Sequence, residues 1–95
     1  MEDKEFLEDL SNFYKVFADA TRLRILNLLL TGNYCVNEIS ENLNLSQSLV
    51  SHQLRIMKMA QFVKSTRDKQ NVVYSILDDH IKIIFEYGVE HLKEL

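Results

Sequence analysis

The architecture follows from Val36-Asn37-Glu38-Ile39-Ser40-Glu41-Asn42-Leu43, then Asn44-Leu45, then Ser46-Gln47-Ser48-Leu49-Val50-Ser51-His52-Gln53-Leu54-Arg55-Ile56-Met57-Lys58-Met59-Ala60. Val36, Ile39 and Leu43 recur at helical spacing and predict a short helix over 36–43. Asn44-Leu45 turns the chain, and Ser46 offers a side-chain oxygen to the amide of Ser48 or Leu49, which starts a second helix running to about Ala60. Leu49, Val50, Leu54, Ile56 and Met57 face the core. Gln47, Ser48, Ser51, His52, Arg55 and Lys58 face outward. A helix with that outer face is either solvated or reads a ligand.

Downstream, Phe62 to Arg67 and Asn71 to Leu77 are β-prone and separated by Asp68-Lys69-Gln70. Val72, Tyr74 and Ile76 alternate with Val73 and Ser75, the period of a two-stranded hairpin, here tipped with charge. Upstream, Phe6, Leu7, Leu10, Phe13, Tyr14 and Phe17 form one stripe of a first helix. A second helix starts at the N-cap Asp19 and turns Leu23, Leu26, Leu29 and Leu30 inward until Gly32 stops it. A last helix begins at Asp78 or Asp79. Its Ile81, Ile83, Ile84, Phe85, Tyr87, Val89 and Leu92 are too many for one stripe, so it should be covered on two sides, the second time by another copy of the chain.

Ninety-five residues make one compact domain over 1–95, and 46% hydrophobic with 26% charged residues excludes a disordered chain. The longest aliphatic run, Leu28-Leu29-Leu30, is far too short to span a membrane, and the start Met1-Glu2-Asp3-Lys4-Glu5 is acidic where a signal peptide is basic. The expected setting is cytoplasmic, with no membrane partner. A single cysteine, Cys35, cannot staple the fold. The net charge of −3 conceals a segregation: residues 46–77 carry Arg55, Lys58, Lys64, Arg67 and Lys69 against one acid, while acids dominate on both sides. A polyanion would meet that middle third first.

Short helix, turn, polar-faced helix and basic hairpin, in that order, is the sequence pattern of a winged helix-turn-helix, mainly α with a β-hairpin wing. Its second helix enters the major groove while Arg67 and Lys69 at the hairpin tip reach an adjacent phosphate or a narrow minor groove. Ser46, Gln47, Ser48, Ser51, His52, Arg55 and Lys58 are the further candidate DNA-binding residues.

Ala20-Thr21-Arg22-Leu23-Arg24-Ile25-Leu26, Tyr34-Cys35-Val36-Asn37-Glu38-Ile39 and Leu45-Ser46-Gln47-Ser48-Leu49-Val50-Ser51-His52-Gln53-Leu54-Arg55 resemble the ArsR/SmtB family of metal-responsive repressors over nearly the whole chain. The resemblance implies a homodimer paired through its first and last helices. It implies an imperfect inverted repeat of double-stranded operator DNA as partner, released when metal binds.

Two of the three histidines lie in the last helix, within Asp78-x-His80 and His91-x-x-Glu94. Imidazole and carboxylate together suit zinc. His80 and His91 stand roughly 16 Å apart along one straight helix and cannot share an ion. If two copies run antiparallel, Asp78 opposite Glu94 and His80 opposite His91 demand nearly one register, centred near Glu86. Two sites per dimer follow, each with Asp78 and His80 from one chain and His91 and Glu94 from the other. Gly88, close to that centre, lets the helices approach. This spacing resembles that of the zinc-sensing members of the family, and Zn2+ is the expected effector.

The resemblance implies a cysteine pair in the 36–43 helix region for soft-metal sensors, but Asn37 stands at the second position. Cys35 therefore reads as a small buried hydrophobe. Catalysis finds no phosphate loop and no base beside a nucleophile, so an enzyme is not expected. Two alternatives stay open: a repressor of the same fold answering to oxidation of Cys35, and a protein-interaction module stapled by metal.

Overall fold

The computed structural model describes residues 1–95. Side-chain caps start four of the five helices. In α1 (Lys4–Phe17) Asp3 accepts from the Phe6 amide at 2.8 Å, and in α2 (Ala20–Leu29) Asp19 accepts from the Arg22 amide at 3.0 Å. In α4 (Gln47–Met59) Ser46 accepts from the Leu49 amide at 3.1 Å, and in α5 (Asp79–Lys93) Asp78 accepts from the Ile81 amide at 3.2 Å. The fifth, α3 (Val36–Leu43), starts differently: its Glu38 carboxylate accepts from the Cys35 amide at 2.9 Å. Each bond satisfies an amide that the first helical turn leaves without a partner.

The expected hairpin is present and gains a third strand along one edge, so that the wing is a three-stranded antiparallel sheet. Strand β1 (Tyr34–Cys35) pairs along β3 (Asn71–Ile76), which pairs on its other edge with β2 (Val63–Asp68), in the order β1-β3-β2. Tyr34 faces Tyr74, Cys35 faces Val73, and Val63 faces Ile76. Two residues are too few to show an alternating pattern, which is why β1 leaves no trace in the sequence. Asp68 pairs with Asn71, so the hairpin loop is Lys69-Gln70 alone.

The core consists of ten apolar side chains and no polar one: Ile25, Leu26 and Leu29 of α2, Ile39 of α3, Val50, Leu54 and Met57 of α4, and Phe62, Val63 and Ile81. Ile25, unnamed by the leucine pattern, is fully buried, whereas Leu23 and Leu30 flank the stripe and are half-buried. Phe62 lies under the rings of Phe13 and Phe17, with centroids at 5.1 and 4.6 Å, and so attaches α1 to the core. No residue of α1 is itself buried.

Gly32 is not the stop of α2. The helix ends at Leu29, its cap Leu30 stays right-handed, and the Leu28 carbonyl is satisfied by the Thr31 amide at 2.9 Å and its hydroxyl at 2.7 Å. Neither glycine adopts a positive φ. Asn44 (55°), Gln61 (64°) and Lys69 (60°) do, at the helix-turn-helix corner, the exit of α4 and the wing tip. At Gln61 the Phe62 amide bonds the Met57 carbonyl and the Gln61 amide bonds the Lys58 carbonyl, the pair of bonds that closes a helix through a left-handed residue.

Candidate nucleic-acid interface and metal centre

Because Ser46 sets the start of α4, its phase is fixed: Val50, Leu54 and Met57 go into the core. Gln47, Ser48, His52, Arg55 and Lys58 are exposed and Ser51 is half-buried. These outward residues follow the three- and four-residue steps of one helical face. Two of them are held in place. The Gln47 side-chain amide donates to Asn37 Oδ1 on α3, and Lys58 Nζ donates to Ser65 Oγ on β2 at 2.6 Å. Lys58 thus sits at the joint between helix and wing, where Ser51, Arg55, Met59 and Tyr74 line a shared groove.

Arg67 and Lys69 are exposed at the far end of the six-residue β2 and its loop. At ~3.3 Å per residue the strand carries Arg67 roughly 7 Å past Ser65, and Lys69 follows it in the loop. Asn37, Ser65 and Tyr74 are not among the DNA-binding residues expected from the sequence. Asn37 and Ser65 are short polar residues whose importance comes only from whom they touch, and no local pattern announces that.

Both arginines of Thr21-Arg22-Leu23-Arg24 are used internally. Arg22 Nε donates to the Val16 carbonyl near the end of α1 at 2.9 Å, and an Arg24 guanidinium nitrogen donates to the Leu43 carbonyl at the end of α3 at 2.6 Å. Each cation sits where a helix leaves carbonyls unpaired and carries partial negative charge.

At the start of α5 the structure brings Asp78 and His80 together, with Asp78 Oδ2 3.6 Å from His80 Nδ1. Since Oδ1 is used as the cap, Oδ2 and the imidazole are the donors left over, and the His80 side chain is 89% exposed. This pair of donors fits a borderline ion such as zinc. His91 lies in the last turn of the same helix and Glu94 at its C-cap, both exposed. The two pairs do not meet within the subunit: no group of three or more His, Cys, Asp or Glu converges anywhere in the chain.

Cys35 is half-buried rather than buried, because it lines a polar groove with Asn33, Asn37, Glu38, Asp68, Asn71 and Val73. The neighbouring Glu38 carboxyl is held below its ordinary range by the hydrogen bond from the Cys35 amide.

Residues 19–65 match the family model described as bacterial regulatory protein, arsR family. A transcriptional repressor SmtB homolog from Synechocystis is 34% identical over 92% of the chain, which spans 66% of that protein. An HTH-type transcriptional regulator from Methanocaldococcus jannaschii is 39% identical over 86% of the chain and 93% of its own length. The homodimeric winged helix-turn-helix DNA-binding domain of a possible ArsR-family regulator from Mycobacterium bovis superposes with a TM-score of 0.89, at 23% identity, over 99% of this chain and 89% of that one. No helix of the structure is long and apolar enough to cross a membrane. With that match, those relatives and this fold, the chain belongs to the ArsR/SmtB family of metal-responsive, winged helix-turn-helix transcriptional repressors, a family of regulators and not of enzymes.

Proposed function

We propose that the chain is a zinc-responsive repressor, a single winged helix-turn-helix domain over residues 1–95. It acts in the cytoplasm as a homodimer on an imperfect inverted repeat of operator DNA. The observation that carries the metal reading is the divided donor set: Asp78 and His80 at one end of α5, His91 and Glu94 at the other, each short of a full tetrahedral shell. An antiparallel partner α5 completes both. Ile83, Tyr87 and Leu92 on α5 are exposed, as are Phe6, Leu7 and Tyr14 on α1, and they supply apolar surface for the pairing. A Cβ built on Gly88 meets nothing within 4 Å in the subunit, which leaves that position open to a close partner.

Gln47, Ser48, Ser51, His52 and Arg55 face the bases and phosphates, Ser46 and Lys58 position the two ends of α4, and Arg67 and Lys69 reach along the backbone. Bound zinc would add positive charge, which by itself favours DNA, so release is conformational. Asp78 and His80 of one chain with His91 and Glu94 of the other would hold the ion, which would supply a cross-link between the two terminal helices. Asp78, His80, His91 and Glu94 thereby fix the spacing of the paired subunits and with it the spacing of their α4 helices. Such coupling is typically ~1–3 kcal/mol and is reciprocal, so operator DNA weakens zinc binding by the factor by which zinc weakens DNA binding.

The test is a titration of operator DNA with the metal-free protein, repeated with zinc. Affinity should fall steeply with salt and fall again with zinc; His91→Ala should abolish the zinc effect and spare operator binding. Zinc affinity unchanged by operator would overturn the switch and turn attention to Cys35, whose groove is open to solvent.

A further inference from the structure

Arg22 does more than close α1. It is half-buried, and its guanidinium makes three bonds to two other helices: Nε to the Val16 carbonyl at 2.9 Å, Nη2 to the Lys15 carbonyl at 3.5 Å, and Nη1 to Gln53 Oε1 at 3.0 Å. Its own amide is fixed by the Asp19 cap, so the base of the side chain is anchored as well. Gln53 lies on α4 next to His52 in sequence but points the other way, half-buried and turned from the outer face. One planar, rigid group therefore joins the end of α1, the first turn of α2 and the middle of α4.

We propose that the Arg22–Gln53 bond is the tie through which the attitude of α1 sets the attitude of the recognition helix α4, making Arg22 and Gln53 positioning residues for operator binding although neither faces DNA. The donors of a guanidinium lie in one plane. A tilt of α1 that keeps the bonds to Val16 and Lys15 must move Nη1, and Gln53 with it, or break the bond. Because α1 bears the exposed Phe6, Leu7 and Tyr14, whatever packs there acts on α4 through this side chain. The inference rests on the reading of α4 as the DNA-reading helix and of α1 as part of the dimer contact.

The experiment uses the full chain. Gln53→Met removes only the link to α4 and leaves the two bonds that close α1; Gln53→Glu keeps an acceptor and makes the bond charge-assisted. Operator affinity, dimerisation by sedimentation, thermal unfolding and hydrogen exchange of the α4 amides are measured together. Gln53→Met should stay dimeric, exchange faster in α4 and bind operator about tenfold more weakly. Gln53→Glu should restore wild-type affinity, and Arg22→Lys combined with Gln53→Met should lose no more than Arg22→Lys alone.

Wild-type affinity in Gln53→Met would overturn the tie. So would equal losses in the Met and Glu variants, which would make the position a matter of shape. If Gln53→Met lost its fold, the Arg22→Lys and Gln53→Glu variants decide, by whether affinity follows the bond while stability does not. Should the wild type bind no DNA, the functional reading fails instead, and α4 exchange still judges the tie: unchanged in Gln53→Met overturns it, faster supports it.

Discussion

If each sensor site takes Asp78 and His80 from one chain and His91 and Glu94 from the other, the two halves can be destroyed separately and recombined. One variant carries Asp78→Asn with His80→Ala, the other His91→Ala with Glu94→Ala. Asparagine is chosen at 78 because Asp78 Oδ1 caps α5 through the Ile81 amide at 3.2 Å and an amide oxygen keeps that bond. Losing the cap would cost about 1 kcal/mol and blur the result. Neither variant alone has a complete site. Refolded together in equal amounts, the chains pair at random and about half the dimers are mixed. In a mixed dimer one site receives both intact halves and the other receives none. The mixture should therefore regain about a quarter of the wild-type zinc. Competition with a chelating dye measures the amount, and cobalt absorption reports a tetrahedral shell. Within one chain the helix rise holds His80 and His91 roughly 16 Å apart, so no single subunit can complement itself. Full zinc retained by either variant, or none regained on mixing, would refute the shared-site reasoning.

The proposed DNA face predicts separable defects: Arg55→Ala should cost ~1–3 kcal/mol of operator affinity and Arg67→Ala should lower the salt slope by about 1, with metal stoichiometry unchanged in both, as read by anisotropy across a salt series. Phe62 is fully buried and packed at a tilt against the rings of Phe13 and Phe17, so Phe62→Ala should lose ~3–5 kcal/mol in chemical denaturation; a loss below about 1 kcal/mol would contradict its place in the core. Glu38 has its carboxyl held below the ordinary value by the Cys35 amide, so its contribution is full above the ordinary carboxylate range and disappears as pH falls through the lowered value. Glu38→Gln should therefore be less stable than wild type by a constant amount around and above neutrality and converge on it as pH falls, flattening the acid side of the profile, a comparison made by thermal melts from neutral pH downward.

Much of the architecture was legible because caps and spacing are local. Asp19, Ser46 and Asp78 each cap the helix expected of them, and Val50, Leu54 and Met57 turn inward as their spacing requires. The exception is Gly32, which does not stop α2 and takes no left-handed conformation. Asn44, Gln61 and Lys69 take the left-handed conformations, at a cost of ~1–2 kcal/mol for an ordinary side chain, because tertiary contacts such as the burial of Phe62 hold them there. The strand at Tyr34–Cys35 was equally hidden, since its partner lies far along the chain at Val73 and Tyr74. For the interface, the residue types on α4 were readable, but the grips of Asn37 on Gln47 and of Ser65 on Lys58 are long-range contacts that local pattern does not encode. The proposed metal ligands pair only through symmetry, as neither half reaches the other inside a subunit.

A helix of fourteen residues with no buried side chain is held mainly by the rings at one end and the guanidinium below it. Isolated segments of that length are marginal in water, so α1 should be the first part of the molecule to fray. Anything that covers Phe6, Leu7 and Tyr14 binds the folded form alone and raises its stability by mass action. The lifetime of each molecule against proteolysis then rises with the abundance of whatever shelters that helix, and scarcity itself becomes a route to turnover.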